Sequence, residues 1–114
     1  MIDDLIKAAV TPVVPICVPH RYGGAEDTFT TFVYTEIPTD YGDNRPHAVR
    51  YLVTIHLYLP LSVEPNAIKR ALRRAIAAEE AFTVPTIEDA TDDKEQHYAL
   101  EFEAVDGGGL DGEL

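Results

Sequence analysis

The sequence predicts an α+β fold, in which a mixed, mostly antiparallel sheet of about four strands packs against two helices. Three observations lead to this class. Residues 29–36 and 47–59 are rich in β-branched and aromatic side chains, as strands are. Residues 98–105 alternate apolar and polar side chains, which is typical of a strand with one buried face. Residues 64–81 repeat apolar side chains every three or four positions, which predicts an amphipathic helix.

The length of 114 residues indicates one domain, because a chain of this size supports a single hydrophobic core. We place this α+β domain at residues 1–106. Residues 107–114 begin with three glycines and contain two acidic side chains. We therefore expect a flexible acidic, glycine-rich tail there.

The first predicted element is a short helix that ends near Val10. Asp3 and Asp4 suit its first turn, where negative charge is favoured, and Pro12 stops it. Residues 13–18 lie between prolines, so they form an edge strand or an extended linker. Cys17, the only cysteine, cannot form an intramolecular disulfide and is expected to be a buried thiol in this segment.

The run from 47 to 59 is the clearest strand in the sequence. Its two faces differ strongly, since alternate side chains point to opposite sides of a sheet. One face is predicted to be core and is wholly apolar or aromatic: Val49, Tyr51, Val53, Ile55, Leu57 and Leu59. The other face is mixed, and its Leu52 and Tyr58 imply partial cover by another element or another subunit. A long polar loop, residues 37–46, separates this strand from residues 29–36.

The second helix carries four of the nine lysines and arginines in the chain. Its apolar stripe is predicted to pack on the sheet and contains Ile68, Ala71, Leu72, Ala75 and Ile76. The opposite side holds Lys69, Arg70, Arg73 and Arg74. Cations four residues apart on a helix repel each other by a few tenths of a kcal/mol. We therefore expect an acidic partner near this face.

After the helix, the sequence predicts little regular structure before the last strand. Residues 82–87 favour a strand but contain Pro85, and residues 88–96 are read as an acidic turn. In the strand at 98–105, the apolar side chains of Tyr98, Leu100, Phe102 and Ala104 alternate with a face that includes Glu101 and Glu103.

The search for chemistry gives no site. The four histidines do not cluster in the sequence, and none has a histidine or cysteine three or four residues away on a helix, so no metal site, cofactor site or catalytic residue is predicted. An enzyme would need a pocket with converging polar groups. The only candidates on one strand are Arg50, His56 and Tyr58, and a polar sheet face explains them more simply.

The charge distribution argues against some partners and suggests another. The net charge of -11 disfavours nucleic acid and anionic membranes, and no apolar run is long enough to span a bilayer, so the chain is expected in the cytoplasm. Residues 66–78 carry four basic and no acidic side chains. A positive patch and a complementary negative patch on one molecule make a head-to-tail contact between copies, which closes into a ring if the rotation permits.

The predicted subunit interface follows from this asymmetry. It places Lys69, Arg70, Arg73 and Arg74 of one copy against acidic side chains of the next. Two acidic sets are candidates: Glu101 with Glu103, and Asp92 with Asp93. The competing interpretation is a solvated helix face, which is common for such stripes.

The order of elements and several segments resemble the tail-completion (tail terminator, or head-tail joining) proteins of long-tailed bacteriophages and prophages. The resemblance covers most of the chain. It lies in the N-terminal helix with residues 12–18, in TFVYT at 31–35, in YLVTIHLY at 51–58 leading to the basic helix, and in YALEFE at 98–103. The chain departs from the family pattern in its proline-rich second segment and its acidic tail.

The resemblance implies a sheet flanked by two helices and assembly as a ring, with a hexamer as the suggested form. It further implies a location at the end of the tail tube, where the ring stops tube growth and offers a surface for joining the head. The implied partners are copies of the chain, tail-tube proteins and head-connector proteins. The implied location is the cytoplasm during assembly and the virion tail afterwards. The alternative is a small, non-catalytic bacterial interaction or dimerisation domain, which would share the fold and form a closed dimer.

Overall fold

A computed structural model describes residues 2–37 and 48–107, and it confirms the α+β class. Two helices lie on one side of a five-stranded mixed sheet, with strand order β1-β2-β3-β5-β4. The elements, in chain order, are α1 (Ile2–Val10), β1 (Cys17–Pro19), β2 (Phe29–Ile37), β3 (Ala48–Leu59), α2 (Asn66–Ala77), β4 (Thr86–Asp89) and β5 (Gln96–Gly107). His47, most of the polar loop, and the predicted tail beyond Gly107 lie outside the described residues.

The centre of the sheet is β3, which pairs antiparallel with both β2 and β5. The face predicted as core is largely confirmed: Val53, Ile55, Leu57 and Leu59 have no exposed surface, while Val49 and Tyr51 are half-buried. Phe32 of β2 and Leu100 of β5 pair with Ile55 and lie on the same buried face. This continuous apolar layer is what the helices cover.

The proline-rich segment forms a three-residue edge strand, one of the two outcomes that the sequence left open. β1 pairs in parallel with β2, and the Thr30 N–H donates to the Ile16 carbonyl at 2.8 Å. The strand ends at Pro19, and the next residue, His20, has a φ of 67° in the left-handed region, which turns the chain away from the sheet. Cys17 is buried, as predicted.

Both helices bury one apolar stripe in the common core. α1 contributes Ile2, Ile6 and Val10, and α2 contributes Leu72 and Ile76. The Tyr34 hydroxyl donates to Asp3 Oδ1 at 2.5 Å and ties the start of α1 to β2. The helices therefore lie on one side of the sheet, with their polar sides facing away from it.

The second helix is shorter than the predicted range of residues 64–81. It begins at Asn66, after Pro65, and its last residue is Ala77. The Glu79 N–H bonds to the Ile76 carbonyl, which tightens the chain into a turn. Just beyond it, the Val105 N–H donates to the Ala81 carbonyl at 2.9 Å. After the helix, the backbone therefore forms hydrogen bonds with β5 in place of helical ones.

The prediction of an acidic turn over residues 88–96 is wrong at its beginning. Glu88 and Asp89 belong to β4, which pairs antiparallel with β5 so that Ile87 lies opposite Leu100. β5 is also longer than predicted, since it starts at Gln96 and extends to Gly107, one residue into the expected tail. The short acidic segment has little strand propensity of its own, and hydrogen bonding to the long strand β5 makes it a strand.

The second side of the sheet has no helix among the described residues, and we call it the open face. It carries the alternate side chains of β2, β3 and β5 that point away from the helices. Those on β2 and β3 are Phe29, Thr31, Val33, Thr35, Ile37, Arg50, Leu52, Thr54, His56 and Tyr58, and those on β5 are His97, Ala99, Glu101, Glu103 and Val105.

Candidate assembly surfaces

The outer side of α2 presents three exposed cations, Arg70, Arg73 and Arg74, which we call the basic surface. They line a shallow depression together with Ala77. Within residues 2–37 and 48–107, none of the three makes a hydrogen bond or an ion pair. The acidic partner expected from the like-charge spacing is therefore not supplied by the described part of the subunit.

Lys69 is placed differently from the three arginines. Its side chain is half-buried, and its Nζ lies 4.3 Å from the centroid of the Tyr98 ring. A cation over an aromatic face is attracted by the quadrupole of the ring, which is negative at its face. Lys69 thus holds α2 against β5 within the subunit.

The predicted acidic residues of β5 both lie on the open face. Glu103 accepts a 2.5 Å hydrogen bond from Arg50 Nη2 of β3, and both side chains are 42% exposed. Such exposed pairs add little stability, but this one neutralises Glu103. Glu101 is exposed and lies between Thr54 and Thr86, its neighbours across the sheet. It is the stronger candidate for contact with another copy.

The alternative acidic pair, Asp92 and Asp93, lies in the exposed turn between β4 and β5. The Asp92 carboxylate accepts hydrogen bonds from the backbone N–H groups of Lys94 and Glu95. These bonds hold the pKa of Asp92 below its usual value. Asp92 therefore organises its own turn.

Apolar side chains surround the acidic part of the open face. Val33, Leu52 and Val105 are 36%, 44% and 42% exposed. A shallow depression at the β4 edge of this region is lined by Leu52, Val84, Thr83, Thr86, Glu101, Phe102 and Glu103. Exposed apolar groups next to charged ones are a common feature of protein interaction sites. We call Leu52, Val84, Val105 and Glu101 together the acidic surface.

The two surfaces lie on opposite sides of the molecule. α2 buries Leu72 and Ile76 against one face of the sheet and turns its arginines outward, while Glu101 points from the other face. A surface that occurs once per subunit on each of two opposite sides suits a head-to-tail contact. The sequence predicted opposite charges on the two surfaces. The structure adds that they lie on opposite sides of the sheet.

The open face also contains an aromatic stack that the sequence analysis missed. Phe29 and Tyr58 stack with ring centroids 4.7 Å apart, and Tyr58 and His97 stack at 4.4 Å. His56 Nδ1 lies 2.8 Å from His97 Nε2. Burial, followed by the nearby His97, lowers the pKa of His56, and burial raises that of Tyr58. Antiparallel alignment of the two long strands was the signal that would have brought these histidines together.

The three side chains considered for catalysis are not gathered into one pocket. Tyr58 is held between aromatic rings, His56 pairs with His97, and Arg50 binds Glu103 farther along β3. None of them lines the depressions at α2 or at the β4 edge. The geometry gives no argument for an active site built from these residues.

The fold defines the class of protein only as a small α+β domain. Neither the comparison with protein-family models nor the search of curated proteins finds a match for this chain. Among the described residues, no helix is long and apolar enough to cross a membrane.

Proposed function

We propose that this chain is a structural subunit that assembles head to tail, with the basic surface of one copy against the acidic surface of the next. The observation that carries this proposal is the exposed arginine cluster of α2, which has no acidic partner in the described residues of its own subunit. Like charges clustered on one helix repel each other and destabilise it. Docking of an oppositely charged patch removes this repulsion and stabilises the complex.

The acidic surface offers both charge and apolar area to such a neighbour. Glu101 supplies negative charge, and Leu52, Val84 and Val105 supply exposed apolar groups around it. Ala77, beside the arginines, supplies a small apolar group on the other side of the contact. Apolar burial would stabilise the contact, while the charges would fix its orientation.

The resemblance to tail-completion proteins gives this assembly a specific role. In the proposal, copies form a ring, with a hexamer suggested by the resemblance, at the end of a phage or prophage tail tube. The ring terminates tube growth and provides the surface that joins the head. Tail-tube and head-connector proteins are the partners, assembly takes place in the cytoplasm, and the ring becomes part of the virion tail. This role requires no catalytic residue and no cofactor.

The assembly contact is tested by reversing its charges. The double variant Arg70→Glu with Arg73→Glu should abolish concentration-dependent oligomers in light scattering and sedimentation. It replaces two positive charges of the basic surface with two negative charges, so the two surfaces no longer attract each other. Arg21→Glu, at an exposed residue outside α2, is the control for the single variant Arg73→Glu, because both change the charge by the same amount. An oligomer that survives the double variant unchanged would refute the contact.

The tail role is tested separately with isolated tail tubes. Negatively stained mixtures should show particles at tube ends for the unmodified chain and for Arg21→Glu. Rings or capped tubes support the tail-completion role. A fixed dimer that ignores tubes would instead favour the small interaction or dimerisation domain.

A further inference from the structure

The histidine pair on the open face has the geometry of a small chelating site. His56 lies on β3 and His97 on β5, diagonally across the antiparallel pair, where Ala99 is opposite His56 and Tyr58 is opposite His97. The 2.8 Å separation joins His56 Nδ1 to His97 Nε2. Two imidazole nitrogens on adjacent rigid strands are therefore held side by side.

Surrounding side chains hold the two rings in place. The His97 ring stacks on Tyr58, which stacks in turn on Phe29. The His97 backbone N–H also donates to Thr91 Oγ1 at 3.2 Å. Opposite His56, the small side chain of Ala99 leaves room on the outer side of the sheet. A site built on strands loses little conformational entropy when it binds a ligand.

The distance between the nitrogens is close to that of two ligands on one metal ion. Zinc lies about 2.0–2.1 Å from imidazole nitrogen, so two ligands at angles of about 90–110° are about 2.9–3.4 Å apart. The ring centroids are 5.0 Å apart, so the two nitrogens now face each other along the hydrogen bond. To bind one metal, each ring has to rotate until its lone pair points at a common position, and the nitrogens have to separate by a few tenths of an ångström. One of the two facing nitrogens carries the proton of the hydrogen bond. That ring would move this proton to its other nitrogen through solvent, so that both facing nitrogens have a lone pair for the metal. A neutral pair therefore releases no net proton when it binds.

Negative charge near His56 favours a cation there. Glu101, on the same face of the sheet, acts electrostatically on His56. Glu95 acts on Tyr58, the ring between Phe29 and His97.

We propose that His56 Nδ1 and His97 Nε2 form a binding site for a divalent transition-metal cation, with Zn²⁺ as the natural candidate. Within the described residues no group of three or more metal-binding side chains meets, so water completes the coordination. Imidazole nitrogens favour zinc, copper and nickel over magnesium and calcium, which prefer oxygen ligands. Neither histidine belongs to the basic or the acidic surface, although Glu101 of the acidic surface lies near the pair.

The test is calorimetric titration of the full chain with ZnCl₂ at pH 7.5, in the presence of a large excess of MgCl₂. We expect one saturable zinc site per chain. Excess Mg²⁺ should not displace it, because Mg²⁺ competes for a diffuse acidic surface but not for imidazole nitrogen. NMR of the imidazole groups should show two histidine side chains shifting together. Acidification to pH 5 should abolish binding, since protonated imidazole has no free lone pair.

Variants assign the site to its residues. His56→Gln and His97→Gln should each weaken zinc binding at least tenfold, while His20→Gln, which changes an exposed histidine outside the pair, should leave it unchanged. Circular dichroism melting curves check that each variant is folded, and zinc should raise the melting temperature only of chains that keep the pair. Zinc binding that is absent, that Mg²⁺ displaces, or that persists in folded His97→Gln would overturn the proposal.

Discussion

Gln96→Ala should destabilise the fold more than any other change of a single polar side chain considered for this protein. Gln96 is only 6% exposed, and its side-chain amide donates to the carbonyls of Pro60 and Val63 at 2.7 Å each. Its Oε1 accepts a 2.6 Å bond from the buried Tyr98 hydroxyl. One side chain thus fastens the turn between β3 and α2 to the start of β5.

The expected magnitude follows from these three bonds. Each contributes about 1 kcal/mol net, and the Tyr98 hydroxyl left without its partner adds a further penalty of about the same size. The loss in the free energy of unfolding should be roughly 3–4 kcal/mol. For a domain of this size, about 4 °C per kcal/mol gives a fall in melting temperature of roughly 12–16 °C.

Urea unfolding followed by circular dichroism measures this loss. Asp93→Ala, in the exposed turn that leads into β5, is the control and should stay within about 0.5 kcal/mol of the unmodified chain. Tyr98→Phe keeps the ring under Lys69 but removes the hydroxyl, so its effect and that of Gln96→Ala should be less than additive. A loss below about 1 kcal/mol for Gln96→Ala would refute the reasoning.

Two further predictions concern titratable groups in the sheet. The folded state lowers the pKa of His56, so the unfolded state binds a proton at His56 first as the pH falls. The contribution of His56 to the free energy of unfolding should therefore be constant above about pH 6.5 and decrease below it. Urea-unfolding profiles between about pH 7.5 and 5 should show this slope, and His56→Gln should remove it. Burial raises the pKa of the Cys17 thiol, so a disulfide reagent at pH 8 should react rapidly only after denaturation. Rapid reaction in the native state would show that β1 opens readily.

Much of the fold was accessible from hydrophobic periodicity. Alternation over a long strand identified Val53, Ile55, Leu57 and Leu59 as core, because a one-residue shift in register would expose the whole set. The three-and-four spacing in α2 identified Leu72 and Ile76 in the same way. These patterns are local and strong, so tertiary context does not override them.

The features that the sequence did not predict depend on pairing between distant segments. The first half of β4, Thr86 and Ile87, falls in the segment predicted to favour a strand, but Glu88 and Asp89 look like turn residues and are in a strand because β5 lies beside them. Gln96 reads as part of an acidic turn until the fold brings the Pro60 and Val63 carbonyls to its amide. The structural propensity of a single residue does not show which distant residues it will pair or bond with.

The same limit explains the candidate sites. The basic surface could be predicted because four cations lie within one helix, but the division between Lys69 and the three outward arginines required the position of Tyr98. The histidine pair escaped the sequence search because that search considered helical spacing, whereas His56 and His97 meet across two strands. A search over antiparallel registers would have found it.

Charge also determines how copies of this chain can approach each other. With a net charge of -11, two copies repel in most orientations. At physiological salt the screening length is about 8 Å, so this general repulsion is weak beyond close range and only directly opposed groups matter at contact. The proposed contact places Arg70, Arg73 and Arg74 against Glu101, an orientation in which opposed charges attract. Electrostatics would therefore select the head-to-tail orientation, while Leu52 and Val105 would supply the apolar burial that keeps the copies together.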